Sequence, residues 1–217
     1  MKGRAVIFDL DGTLLDTLQD IGEAMNTSLR EHGFPEHPLD AYRYFVGEGV
    51  ETLVRRALPE GQRGEALVAK LLEIMREEYG RRWHDHSLPF PGVPEMLDRL
   101  ESRGLPKAVF SNKPHVFTVE MVEEMLGDWS FIAVRGILPG TPRKPDPAVA
   151  LEISREIKIP PQDILFVGDS DLDMLAARAA GMFGIGVLWG FRDAAELLGA
   201  GARALMAHPR ELLNFLI

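Results

Sequence analysis

Two aspartates one residue apart, Asp9 and Asp11, close the apolar run VIFDLDGTLLDT. A buried strand has no use for paired negative charge, because taking even one carboxylate out of water costs roughly several kcal/mol without a compensating partner. Something positive must meet them. Two further apolar runs end in polar groups: KAVFSN stops at Ser111 and Asn112, and ILFVGDS carries Asp169, with Asp173 four residues on. Four carboxylates in one partly dry cleft repel by about 4 kcal/mol per close pair at an intermediate dielectric, so a hard cation taking oxygen ligands is the natural compensation. Magnesium (Mg2+) suits this best, since it needs few carboxylates and shares its coordination with a substrate phosphate. Phosphate also accounts for Lys144 in RKPDP, an ammonium set before a proline in extended backbone, and for the hydroxyl of Ser111. Gly12 lets the turn after the first run fold around an anion with its N–H groups inward.

Each residue alone has a plainer reading. Asp11-Gly12 suits a turn, Asp169 and Ser170 suit a helix cap, and a lone lysine suits the surface. Joint occurrence at three strand ends and one loop favours the cleft. Spacing excludes an EF-hand, because DLDGTLLDTLQD lacks the third acid before glycine and the closing glutamate.

The elements that must position these residues follow from hydrophobic pattern. AVIFD, KAVFSN and ILFVGDS read as buried parallel strands, with weaker candidates at Phe131 to Arg135 and Gly184 to Trp189. Helical patterns at Val116 to Leu126 and Ala148 to Ile157 alternate with them, which is the signature of an α/β, doubly wound parallel sheet. In such sheets the ligand crevice lies beyond the carboxyl ends of the strands, where the strand order reverses.

After Asp11 roughly seventy-five residues pass before the next strand-forming unit near Pro91, against about two to six in an ordinary connection. An inserted all-α domain explains the gap. Leu18, Ile21, Met25 and Leu29 keep helical spacing up to Gly33. Val50, Leu53, Val54 and Ala57 form a second apolar stripe, and Leu67, Leu71, Met75 and Tyr79 a third. The expected division is residues 1–14 with 89–217 as the core and 15–88 as the insert. Hinges are expected near Leu14 to Thr17 and Ser87 to Pro91.

The chain has 217 residues, with 33 acidic and 24 basic side chains and a formal net charge of −9, so its surface repels nucleic acid and anionic membranes. A small phosphorylated molecule and a metal ion are the expected partners, with no nucleic acid and no membrane. Monomer and homodimer are both compatible with the sequence. Without cysteine there are no disulfides and no thiolate chemistry, and with too few apolar residues at the N-terminus for a secretory core, a cytoplasmic location is expected.

DLDGTLLDT, SNKP, RKPDP and GDSDLD, in this order, resemble the four motifs of the haloacid dehalogenase superfamily, and the long helical insert resembles its first-type cap. The resemblance implies a Rossmann-like core and an inserted cap that opens and closes over the site. It also implies roles. Asp9 is the nucleophile that becomes an aspartyl-phosphate, and Asp11 is the general acid and then base. Asp9, the backbone carbonyl of Asp11, and Asp169 hold Mg2+, with Asp173 orienting the cluster. Lys144 and Ser111 hold phosphoryl oxygens, with Thr13 and Asn112 among the substrate-binding residues.

Asp11 favours phosphoryl transfer over dehalogenation, because a departing halide needs no proton. The insert looks most like the cap of bacterial phosphoglycolate phosphatases, although AVRGILPGTPRKPDP lacks the Gly-Gly-Asp-like stretch expected there. A carboxylated substrate such as 2-phosphoglycolate needs a second contact, for which the insert offers Gly47, Gly49, Arg55 and Arg56. Ordinary connector glycines and solvated arginines are the alternative. His84 and His86 in WHDHS lack a third matching ligand, and GMFGIGV precedes a strand and so makes a poor dinucleotide fingerprint. The rival functions are a phosphosugar mutase or pyrophosphatase of the same superfamily, and a phospho-accepting signalling module. A mutase would carry Glu-Asp where Gly168-Asp169 stands, and a receiver module needs no helical insert.

Overall fold

The computed structural model describes residues 3–217, which form two compact units. One comprises the chain up to Leu15 together with Pro89–Ile217, and the other is Asp16–Leu88.

The larger unit is built on six parallel strands: β1 (Ala5–Phe8), β4 (Lys107–Pro114), β5 (Ala133–Ile137), β6 (Ile164–Gly168), β7 (Phe183–Val187) and β8 (Ala204–Met206). Their spatial order is β5-β4-β1-β6-β7-β8. Helices α5 (Val93–Ser102), α6 (His115–Met125), α7 (Ala148–Ile157), α8 (Asp171–Ala179) and α9 (Ala194–Ala200) connect them. Every residue of β1 is buried, which explains why its sequence is apolar without alternation. Ile7, Phe110 and Phe166 pack from β1, β4 and β6 into one core with Val149 and Ile153 of α7 and Ala177 of α8.

From β1 the chain continues to β4 and β5 on one side, then returns to β6 on the other. β1 is therefore the switch point. Phe8 pairs with Val109 and Val167, so residues just past all three strands emerge side by side.

The expected strand limits shift in places. β4 runs two residues beyond Asn112, to Pro114, and β5 starts and ends later than the apolar run suggests. β8 has only three residues, too few for a periodic signal.

The smaller unit contains α1 (Leu18–Glu31), α2 (Tyr42–Phe45), α3 (Val50–Ala57) and α4 (Glu65–Arg82). The third stripe is Val68, Leu71, Met75 and Tyr79, with Val68 buried in place of the expected Leu67, because i, i+3 and i+7 steps lead back to it. Asn26 ties the hairpin together, accepting from Tyr42 Oη at 2.7 Å and from the His37 amide at 2.9 Å. Asp20 is buried at the start of α1. Its carboxylate accepts from the amides of His86 and Ser87 and from Ser87 Oγ at 2.7 Å. The two chain crossings, β2 (Leu15–Asp16) and β3 (Leu88–Pro89), pair as a short ribbon.

Candidate active site

Asp9 stands one residue past β1, and its Oδ1 accepts from the Leu10 amide at 2.7 Å. The same oxygen lies 2.8 Å from Lys144 Nζ, whose second partner is Asp173 Oδ1 at 2.6 Å. Lys144 is 4% exposed, so this is no surface lysine. Asn112, past the middle of β4, sets its backbone: the Lys144 amide donates to Asn112 Oδ1 at 2.9 Å, and Asn112 Nδ2 donates to the Lys144 carbonyl at 3.1 Å.

Asp169 and Asp173 come from the turn between β6 and α8. Ser170 is the helix N-cap, and Asp173 completes a capping box by accepting from the Ser170 amide at 3.0 Å and its hydroxyl at 2.6 Å. With Lys144 on its other oxygen, Asp173 has both oxygens engaged. Asp169 is not the cap. Its Oδ2 accepts from the Phe191 amide at 2.8 Å, and its Oδ1 accepts from Thr13 Oγ1 at 3.4 Å.

The turn after Asp9 departs from expectation. The amides of Gly12 and Thr13 do not point at an anion site; they donate to the carbonyls of Leu15 and Leu10. Closing so tight a turn uses its own donors, because buried amides must find partners. Glycine is needed at position 12 on two other counts: φ is 81°, and a Cβ there would collide with the Asp169 carboxylate.

Electrostatically the cleft is short of positive charge. Burial, and then the neighbouring Asp173, push Asp9 up to about 7 against the pull of Lys144. Burial likewise holds Asp169 well above the usual carboxylate range, reinforced by Asp173 and Asp9. Burial would lower Lys144, but Asp173 and Asp9 outweigh it and leave the ammonium raised. Oxygens of Asp9, Asp169 and Asp173 lie within 4.8 Å of one another, one such acidic group being found among the described residues. These oxygen-only donors and their unfavourable crowding fit a hard divalent cation.

The structure thus brings Asp9, Asp11, Thr13, Ser111, Asn112, Lys144, Asp169 and Asp173 to the carboxyl ends of β1, β4 and β6 or to the loops beside them. Ser111 is buried, its Oγ accepting from the Lys113 amide at 3.3 Å. The remaining four candidates lie in the helical unit. Gly47 and Gly49 have positive φ, 126° and 92°. Arg55 pairs with Glu51 at 2.9 Å and Glu65 at 2.6 Å, while Arg56 pairs with Glu48 and donates to the Tyr44 carbonyl at 3.0 Å. His84 and His86 join no metal cluster among the described residues.

Lys113, within SNKP, joins the cleft without having stood out in the sequence. Its Nζ lies 2.9 and 3.2 Å from the two carboxylate oxygens of Asp11. The signal was period two: once β4 is extended past Asn112, Lys113 shares a face with Ser111. Trp189 and Phe191 also border the site without a sequence signal. The Trp189 indole donates to the Thr13 carbonyl at 3.0 Å, and any side chain at Gly190 would overlap Asp169 and the Gly12 carbonyl.

A parallel sheet with a buried carboxylate and lysine cluster at its switch point defines an α/β protein with its candidate site at an acidic strand end. The haloacid dehalogenase-like hydrolase family model matches residues 6–187, and the chain belongs to that family. It is 37% identical over 194 residues to the phosphoglycolate phosphatase of Pseudomonas putida strain KT2440, covering 87% of this chain and 70% of that one. It is 34% identical over 199 residues to the phosphoglycolate phosphatase of Nitrosospira multiformis, covering 89% and 87%. A crystal structure from Lactobacillus delbrueckii subsp. bulgaricus superposes with a TM-score of 0.91 at 31% identity, covering 98% of this chain and 97% of the other. No helix among the described residues is long and apolar enough to cross a membrane.

Proposed function

We propose that this hydrolase is a phosphomonoesterase that works through an aspartyl-phosphate, uses Mg2+ and takes 2-phosphoglycolate as its substrate. The observation that carries the chemistry is Asp9 at the switch point, in contact with Lys144 and grouped with Asp169 and Asp173. The substrate rests on the names of the relatives and on the resemblance of the helical insert.

In the first step an Asp9 oxygen forms a bond to phosphorus as the bond from phosphorus to the ester oxygen breaks. Asp11 gives that oxygen a proton, so an alcohol leaves in place of an alkoxide. In the second step Asp11 takes a proton from water, whose oxygen attacks the phosphoryl group and restores Asp9. Lys144 meets the negative charge of the phosphoryl oxygens, and Asn112 keeps its backbone in place. Asp9, the Asp11 carbonyl and Asp169 would hold Mg2+, with Asp173 orienting them. When bound, the ion supplies the positive charge that keeps Asp9 ionised and offsets that of the phosphoryl oxygens. The unit Asp16–Leu88 serves as a cap in this reading, on the strength of the family resemblance.

The test is release of inorganic phosphate from 2-phosphoglycolate, hexose phosphates, nucleotides and pyrophosphate, with and without Mg2+. Fastest Mg2+-dependent release from 2-phosphoglycolate is expected. Preference for pyrophosphate, or phosphoryl return to a sugar without net release, would overturn the assignment.

A further inference from the structure

The cleft contains two buried lysines, and the proposed phosphoryl transfer employs one. Lys144 stands between Asp9 and Asp173, whereas Lys113 holds Asp11, with both carboxylate oxygens on its ammonium. The side chains are 5% and 11% exposed, so this pair lies largely out of water.

Asp11 must turn an oxygen toward the ester oxygen of a substrate and so surrender part of its contact with Lys113. A nearly buried ammonium that gives up so close a carboxylate contact is disfavoured. A second anionic group on the substrate restores the balance. The arginines of the helical unit are placed otherwise: Arg55 and Arg56 are tied to Glu51, Glu65 and Glu48, acids with no part in the reaction. Lys113 is the cation whose resting carboxylate is called away to the leaving oxygen.

We propose that Lys113 recognises the carboxylate of a phosphorylated carboxylic acid, accepting it in exchange for Asp11. The proposal rests on the phosphomonoesterase reading and deepens it by assigning the substrate's second contact to β4. It makes Lys113 a specificity-determining residue, and it explains why an acid used in proton transfer is stored on a lysine.

The test is calorimetric binding, in Mg2+, of 3-phosphonopropionate and of propylphosphonate, which differ by the carboxylate alone. Wild-type protein is expected to favour the carboxylated ligand, and Lys113→Met to lose about 10- to 100-fold in affinity for it, the worth of one charge-assisted hydrogen bond. Lys113→Arg should restore most of the preference. Asp11→Asn releases the ammonium, so it should bind 3-phosphonopropionate more tightly than wild type, and the Asp11→Asn/Lys113→Met double variant should lose that gain. A merely structural lysine predicts no such tightening.

An unchanged preference in Lys113→Met, a wild type indifferent to the carboxylate, or equal ratios in Asp11→Asn and the double variant would overturn the proposal. If Lys113→Met does not fold, the last comparison decides, since it removes both charges together. Phosphate release is not part of this readout. Its absence in wild type sinks the phosphatase reading, and the binding ratio still judges Lys113.

Discussion

Asn112 and Lys144 exchange two hydrogen bonds, the amide of one to the backbone of the other in both directions. The side chain of Asn112 is thereby committed to the loop that delivers the lysine. Asn112→Ala is expected to cost about 1–3 kcal/mol of stability from backbone groups left unpaired. It should also lower kcat more than it raises KM, because Lys144 loses its setting. Thermal melts beside steady-state kinetics check this; full activity with lowered stability would confine Asn112 to folding.

Asp9→Asn is expected to abolish turnover and leave the fold intact. Because burial and Asp173 oppose the Asp9 charge, the neutral variant should melt at or above the wild-type temperature in chelator at pH 8. A marked loss of stability there would contradict the electrostatic account.

Metal-free stability should fall as pH rises. Asp9 titrates near 3.8 when unfolded and near 7 when folded, so the folded state holds an extra proton between those values. That stabilisation is complete below about pH 4 and lost by about pH 7, at on the order of 1 kcal/mol per pH unit. Asp169 shifts in the same direction. Mg2+ should therefore raise the melting temperature most at the alkaline end, where it does not compete with protons. Melting curves from pH 5 to 8, in chelator and in Mg2+, measure both effects.

Asp11→Asn should lose most activity on alkyl phosphates and much less on an activated aryl phosphate, whose leaving group needs no proton. Comparing kcat on the two ester types reads this directly; equal losses would remove the acid role.

Gly190→Ala should weaken Mg2+ binding, because the new methyl group collides with Asp169 and the Gly12 carbonyl. Calorimetry of the metal alone is the measurement, with unaltered affinity as the adverse result.

Why some of this was legible and some was not follows from what each residue does. Asp9, Asn112 and Asp169 were readable because apolar runs break off abruptly at polar residues, and strands buried on both faces leave no other reason for the break. Lys144 was readable through its motif. Its burial between two acids was not, since that depends on β1 and β6 being neighbours. Lys113 escaped because a polar strand end looks like a loop. The Phe191 amide leaves no side-chain mark at all. Expecting inward amides at Gly12 failed because an amide's partner is set by the whole turn, and Leu15 and Leu10 claim those donors. Arg55 and Arg56 read as open cations only while their pairing with Glu51, Glu65 and Glu48 was unseen.

The central position of β1 has a consequence for assembly. Its hydrogen-bonding neighbours begin at Lys107 on one side and Ile164 on the other. A ribosome therefore releases the nucleophile first and the strand that completes its surroundings much later. A nascent chain halted before Ile164 would carry Asp9 with half its sheet missing and neither Asp169 nor Asp173. Catalytic competence should accordingly emerge late in synthesis and abruptly.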